Sequence, residues 1–547
     1  MAAFTFALQV NGSIHKHSVS HNLDHLRTSL SSTFKPLIKE LQKLPTKVDF
    51  SRTLIQSTSS RILDTLVDTM FRFVDQPLLS SQSNFAPVDE TVEAVEVTCT
   101  EGEIPTDLQE GVYVRNGPNP LFGGLKSTVS IFGRSSHVWA EGEGMLHALH
   151  FKKKPDGEWT ISYNNRYVES ETFTIETQLN KPSFLPAIEG DSLAILSSLV
   201  LNTWRFGVPN KYLRNTSVFE HSGKLYAIAE NHLPQEVDIS TLESLEDWDV
   251  DGGWTRPFTS HPKRAPESRE LVIMGIDAQK PYYVEGPARI GIMPRYGDAD
   301  SVKWFEVEPN CTFHILNCFE DGDQEVVVRG CRALAAILPG PDWGQKKFDW
   351  FSKGFNFENY ADGSTEDGYL FHRAYEWRLN LLTGEVKEKN LTGTDFSMDF
   401  PLVNGEFTGL KHKYGYAQVI DSVASSTSGI AKYGGVAKLY FHEQQSIQQT
   451  VIKQGEEKRD EQLIRVEYHN FAENIFCTGI AFVPKEGRVE EDDGWIITYV
   501  HNEENNVSQA YLIDAKRFGS EPTAIITLPR RVPYGFHGTF VSMPAQA

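Results

Sequence analysis

Beyond about Asn84 the chain delivers one message again and again: a short β-branched or aromatic run, then Gly, Asn, Asp or Pro, then another run. Clear instances are Gly111-Val112-Tyr113-Val114, Trp159-Thr160-Ile161-Ser162-Tyr163, Lys224-Leu225-Tyr226-Ala227-Ile228-Ala229, Glu325-Val326-Val327-Val328, Gly415-Tyr416-Ala417-Gln418-Val419-Ile420 and Trp495-Ile496-Ile497-Thr498-Tyr499-Val500. Such spacing predicts an all-β architecture. Over so long a stretch it favours a propeller above a sandwich. Helical patterning is sparse here and no flexible linker divides the region, so residues 85–547 read as one β domain.

The N-terminal part is different in kind. Leu37, Ile38, Leu41 and Leu44 form a short helical stripe ended by Pro45; Ile62, Leu63, Leu66, Val67, Met70, Phe71 and Val74 form a longer one ended by Pro77. Residues 40–84 are therefore expected to be an amphipathic helical extension, packed on the protein's own surface or dipping into a membrane face. Residues 1–39 are rich in Ser, Thr, His and Lys, with Asp24 as their one acid. They read as a transit peptide for plastid import, the alternative being a disordered tail on a cytoplasmic protein.

Charge and cysteine content narrow the function. A formal net charge of -21 with no Lys/Arg cluster argues against nucleic acid. The five cysteines contain no Cys-x-x-Cys pair, so neither a disulfide framework nor a structural zinc site is indicated. No apolar run approaches the ~20 residues of a membrane span.

Of seventeen histidines, three sit in apolar or aromatic surroundings on expected strands or strand ends. His261 lies between Pro257-Phe258-Thr259-Ser260 and Pro262. His314 lies within Cys311-Thr312-Phe313-His314-Ile315-Leu316-Asn317-Cys318, and His537 within Tyr534-Gly535-Phe536-His537-Gly538. Their separation excludes helical pairing, but a propeller brings a strand of each blade to a common axis. Neutral imidazoles suit Fe, Zn, Cu or Ni, and without carboxylates they leave the metal's charge largely intact. Strand alternation turns Cys311 away from His314 and puts Cys318 on the same face, where it reads as a free buried cysteine.

Taken in order, longer motifs resemble the carotenoid cleavage oxygenase family, specifically its plant branch and the 9,10-cleaving type. They are Val114-Arg115-Asn116-Gly117-Pro118-Asn119-Pro120, Glu141-Gly142-Glu143-Gly144-Met145-Leu146-His147, Thr259-Ser260-His261-Pro262-Lys263, Phe313-His314, Glu491-Asp492-Asp493-Gly494-Trp495 and Pro533-Tyr534-Gly535-Phe536-His537-Gly538. The resemblance, from about Phe85 to Phe540, implies a seven-bladed β-propeller with Fe(2+) on its axis, four histidine ligands, and an apolar tunnel for a carotenoid or apocarotenoid that reacts with dioxygen. It places His261, His314 and His537 in three ligand positions. It also implies acids behind the ligands: Glu230 matches one, and Asp399 another, with a shorter side chain expected to reach only through water. The third position holds Gly479, with Glu473 as the nearest substitute, read as a surface acid.

One departure matters most. No histidine occurs between His261 and His314; the chain runs from Ile276-Asp277 through Lys280-Pro281-Tyr282-Tyr283-Val284-Glu285 straight to Ala288-Arg289-Ile290. The resemblance puts its second ligand in that interval, so the ligand and about one blade, ~40–50 residues by propeller repeat lengths, are missing together. Three readings follow: a working dioxygenase on carotenoids or apocarotenoids, an oxygenase of stilbene-like olefins, or an impaired propeller that binds a lipid or a protein.

Overall fold

The computed structural model describes residues 58–75, 84–265, 268, 270–273, 288–333, 372–393, 396–428, 430–446 and 462–543. Residues 1–39, the Leu37 to Leu44 stripe and the Lys280 to Gly286 junction lie outside them. All six runs singled out in the sequence fall on strands, Lys224–Ile228 closing one residue earlier than its run.

The strands are organised as antiparallel meanders. Ser217–His221, Lys224–Ile228, Gln235–Val237 and Ser244–Asp247 form one sheet; Cys311–Asp321, Glu325–Ala333, Arg373–Asn380 and Val386–Asn390 form another. Between them the described residues form two ribbons, Lys263–Arg264 with Leu271–Val272 and Ala288–Ile292 with Lys303–Val307. Met398–Leu402, Tyr414–Ile420, Tyr433–Ser446 and Gln462–Asn470 form the next meander. A single strand bridge, Tyr433 opposite Cys477, joins it to the sheet of Ile475–Pro484, Gly494–Asn502, Val507–Asp514 and Ala524–Thr527.

The chain closes on itself. Gly538–Ser542, from the far end of the sequence, pairs with Gly111–Pro118, which continues through Gly144–Lys153 and Trp159–Tyr167 to Thr91–Val97. The Gly111–Pro118 strand is buried along its whole length. Its period-2 alternation divides it between two cores: Val112 and Val114 pack with Leu146, Val218 and Ala227, whereas Tyr113 packs with Leu149, Tyr499 and Ile526.

The N-terminal stripe does not stay helical to its end. The helix covers Thr58–Met70, and Phe71–Asp75 is a strand that pairs with Lys126–Ser130. Aromatic and β-branched residues at Phe71, Phe73 and Val74 suit a pleated surface better than a further helical turn. Val67 and Phe71 are buried against Leu185 and Leu201, so this stripe is covered by the protein itself. Leu201 belongs to Ser192–Phe206, a helix the sequence reading missed, as it did Glu171–Leu179. The first ends on Gly207 in the left-handed region at φ 78°, a regular stop signal. Arg205 ties it to the Thr58–Met70 helix through Asp64 at 2.8 Å.

The cysteine reading also changes. Register shifts at Thr312/His314 and Ile315/Asn317 break the alternation, so face assignment by counting fails along this strand. Cys318 is exposed rather than buried, while Cys331 and Cys477 are buried.

Asn116 holds the closure. Its Nδ2 donates to the carbonyls of Arg214 and Ser217 at 2.8 and 2.9 Å, and it is fully buried. Asn116→Ala leaves both acceptors buried without that donor and is expected to cost about 2–4 kcal/mol. Urea unfolding should show a lower midpoint with an unchanged slope.

Candidate metal centre

The three singled-out histidines arrive from separate parts of the chain. His261 lies in the loop just before the Lys263–Arg264 ribbon, with Phe258 and Ser260 buried behind it. His314 sits at the bulge of its strand. His537 precedes the closing strand, its amide donating to Thr216 O at 3.3 Å and its carbonyl accepting from Asn116 N at 3.0 Å. The approach is close enough to require glycine on both sides. A Cβ at Gly535 would fall 2.0 Å from the Arg115 guanidinium, and one at Gly538 2.5 Å from Gly479 O.

The structure brings these three imidazoles together, with one ring nitrogen of each within 4.8 Å of the others. His261 Nε2 and His537 Nε2 are 2.8 Å apart, and ring centroids are separated by 4.6, 5.0 and 5.2 Å. Outward-facing nitrogens are backed by acceptors. His314 Nδ1 lies 2.8 Å from Asp399 Oδ1. His261 Nδ1 lies 3.0 Å from Ser260 Oγ, which in turn donates to Glu230; the direct Glu230 distance is 3.5 Å. With Nδ1–H donated outward, the inward Nε2 atoms of His261 and His314 carry lone pairs, the arrangement a cation requires.

Electrostatics agree. Burial first, then repulsion from the other imidazoles, holds His261 and His537 well below the ordinary histidine range, so both are neutral at pH 7. Burial pushes the Glu230 carboxyl up to about 7, against the opposing effects of its hydrogen bonds and of His314. Asp399 goes the other way: burial raises it, but His314 and His372 outweigh that, and it stays a carboxylate. The donor set fits a divalent metal ion: three imidazole nitrogens converge, with no carboxylate among them to quench a Lewis acid.

Asp399 therefore reaches His314 directly, not through water as its length suggested. The strand carrying it shifts register between Asp399 and Leu402, and Phe400 takes φ 54° in the left-handed region, which re-aims the carboxylate. Glu473 is not part of the group; it is exposed in the turn before Ile475–Pro484. At Gly479, where the third acid was sought, a Cβ would fall 2.2 Å from Arg115 Cγ, so a buried arginine stem occupies that direction.

Two participants were missed. Ser260 relays His261 to Glu230, and its place inside the Thr259-Ser260-His261 motif was a usable signal. His372 lies behind Asp399, its Nδ1 3.8 Å from Oδ2, with Nε2 buried and unpartnered. Nothing in its Phe371-His372-Arg373 context marks it. Beside the histidines is an apolar cavity of about 80 Å³, lined by Phe85, Trp139, Phe400, Ile430, Tyr433 and Phe536 among others. The Phe400 ring is the shared wall, 4.7 Å from His314 and 4.9 Å from His537.

Comparison with known proteins places this arrangement. Residues 85–286 and 283–542 match the family described as retinal pigment epithelial membrane protein, in two stretches that meet at 283–286. The chain is 28% identical to carotenoid 9,10(9',10')-cleavage dioxygenase 1 of Pisum sativum, over 88% of this chain and 93% of that protein. It is 26% identical to the chloroplastic 9-cis-epoxycarotenoid dioxygenase NCED1 of Oryza sativa subsp. japonica, over 89% and 80%. Among solved structures, a cobalt-substituted Synechocystis ACO superposes with a TM-score of 0.63 at 18% identity, covering 85% of this chain and 98% of that one. The lignostilbene dioxygenase of Pseudomonas brassicacearum does so with 0.63 at 19%, covering 86% and 100%.

Two outcomes test the centre. Asp399→Asn is expected to weaken cobalt(II) binding by about 10–100-fold, read from visible absorption during titration. The metal-free protein should lose stability as pH falls below about 6.5, because the unfolded chain then protonates histidines that stay neutral when folded. Besides His261 and His537, burial lowers His147, His150, His372 and His469. Thermal midpoints measured from pH 7.5 down to 5.5 check the sign.

Proposed function

The chain belongs to the retinal pigment epithelial membrane protein family, the carotenoid oxygenases, and from that membership we propose that it is a non-haem iron dioxygenase cleaving one conjugated double bond of a carotenoid or apocarotenoid. Both atoms of dioxygen enter the products, which are two carbonyl compounds. The observation that carries this reading is the convergence of the His261, His314 and His537 ring nitrogens within 4.8 Å.

His261, His314 and His537 would hold a ferrous ion, which would supply dioxygen activation. The rest is the work of side chains. Asp399, and Glu230 through Ser260, hold two imidazoles in the tautomer whose lone pair points inward. Phe400 and Phe536 keep water from the approach and offer flat apolar surface to a polyene. An ordered site of this kind lowers the barrier by placing one double bond, not by proton transfer.

The wider architecture we propose is a seven-bladed β-propeller over 85–547 with one blade reduced to two ribbons, preceded by an extension at 40–84 that is helical over Thr58–Met70 and a strand over Phe71–Asp75, and by a targeting segment at 1–39. Support for the reduced blade comes from the meeting of the two matched stretches at 283–286, the short ribbons on either side, and the absence of a histidine between His261 and His314. The same facts favour the competing reading, an impaired propeller that binds a lipid or a protein. A stilbene-like substrate is supported by the lignostilbene dioxygenase likeness. Plastid localisation is supported by the chloroplastic rice relative, with the cytoplasm as the alternative. No described helix is long and apolar enough to cross a membrane. Peripheral contact is supported by Leu196, Val200 and Trp204, exposed at helical spacing on one face of Ser192–Phe206.

The test is anaerobic reconstitution with ferrous iron, measurement of metal per chain, and analysis of aldehydes formed from a carotenoid. One iron per chain with turnover, both lost in His537→Ala, is the expected result. Stoichiometric iron with no product from carotenoid or stilbene substrates overturns the dioxygenase reading.

A further inference from the structure

The cavity beside the histidines has more polar character than its aromatic walls suggest. Five side chains bearing an N–H or O–H group border it: Lys432, Tyr534, Thr478, Trp139 and Tyr433. Lys432 is fully engaged, its Nζ 2.7 and 2.8 Å from the two Glu503 oxygens, and Glu503 also accepts from Tyr534 Oη at 3.0 Å. Thr478 Oγ1 donates to Gly535 O at 3.0 Å and accepts from Gly535 N at 2.9 Å. The other two are unused. Trp139 Nε1 is buried with no partner, and among the described residues no group hydrogen-bonds the Tyr433 hydroxyl.

An unpaired hydroxyl inside an apolar enclosure is costly unless something enters to meet it. Tyr433 is placed for that. It lies at the single bridge between two sheets, opposite Cys477, and its ring meets Phe400 edge-on at 5.5 Å. Phe400 in turn touches His314 and His537. A ring lodged against Tyr433 therefore has its conjugated arm directed past Phe400 toward the histidines. The cavity's free volume of about 80 Å³ is below the range of a complete small-molecule site, so it can receive only the ring end of a longer substrate. Burial holds the Tyr433 hydroxyl far above the usual phenol range, so it remains a neutral donor.

We propose that Tyr433 is a specificity-determining residue, its hydroxyl hydrogen-bonding a hydroxyl or carbonyl oxygen on the ring end of a conjugated olefin, with the Trp139 indole N–H as the second donor of the same cavity. This rests on the proposed olefin-cleaving function and sharpens it: the site selects oxygenated ring ends over plain hydrocarbon ones.

Binding to the metal-free full-length chain tests it, with trans-4-hydroxystilbene and trans-stilbene as a matched pair differing by one hydroxyl. Titration followed by the stilbenes' own fluorescence should show the hydroxylated compound bound about three- to tenfold more tightly, the scale of one hydrogen bond. Tyr433→Phe should erase that ratio while leaving trans-stilbene affinity and the thermal midpoint unchanged, since the lost hydroxyl had no partner in the fold. Equal affinities in the unsubstituted chain, an unchanged ratio in Tyr433→Phe, or no binding of either compound overturns the assignment. Iron loading and turnover are measured separately, so a chain that cleaves a carotenoid yet shows no hydroxyl preference refutes this inference alone. One that keeps the preference but fails to load iron refutes the catalytic reading alone.

Discussion

Everything at the centre depends on one pairing, the antiparallel register of Gly538–Ser542 against Gly111–Pro118. That ladder fixes His537 because Asn116 exchanges backbone hydrogen bonds with the residues just before it: Asn116 O accepts from Phe536 N at 2.9 Å, and Asn116 N donates to His537 O at 3.0 Å. The strand beneath is buried on both faces, so the register cannot slip without turning Val112 and Val114 out of one core and Tyr113 out of another. His537 lies outside the strand itself and could have been poorly placed. Here it is among the most constrained residues in the fold.

The price of that constraint is visible in Arg115, the neighbour of Asn116. It is 1% exposed, and among the described residues no carboxylate pairs with it. Its Nη2 donates to Pro533 O at 2.5 Å, its Nε is unpartnered, and burial depresses it to about 10. Its stem fills the direction in which a side chain at Gly479 would extend. Of the three histidines, then, two are backed by acids and the third is braced through its backbone. Orientation is achieved by two different physical means within one centre.

Much of this was legible in the residues. The six strand runs and the three histidines stand out because burial and strand pairing impose composition locally: Val326, Val327 and Val328 can hardly be anything else. What was not legible depends on irregularity. The Asp399 to His314 bond follows from a bulge and a left-handed Phe400, the exposure of Cys318 from two register shifts, and the turn of Phe71–Asp75 into a strand from a partner some fifty residues on. Ser192–Phe206 escaped notice because its buried face mixes Ala194 and Ile195 with Ser198, Asn202 and Arg205, the last two held by tertiary hydrogen bonds, and these polar residues blur the apolar period. His372 has no local signature at all, since its significance is only that it shares Asp399.

The closing strand also has a temporal meaning. Domains form from the N-terminal side as synthesis proceeds, yet Gly111–Pro118 lacks one edge partner until residues 538–542 have been made, and the last of the three imidazoles is delivered by the same segment. Completion of the three-histidine group thereby waits for the closing strand. A chain that has not yet reached His537 holds His261 and His314 without the third imidazole, so the group is completed by the same event that closes the sheet.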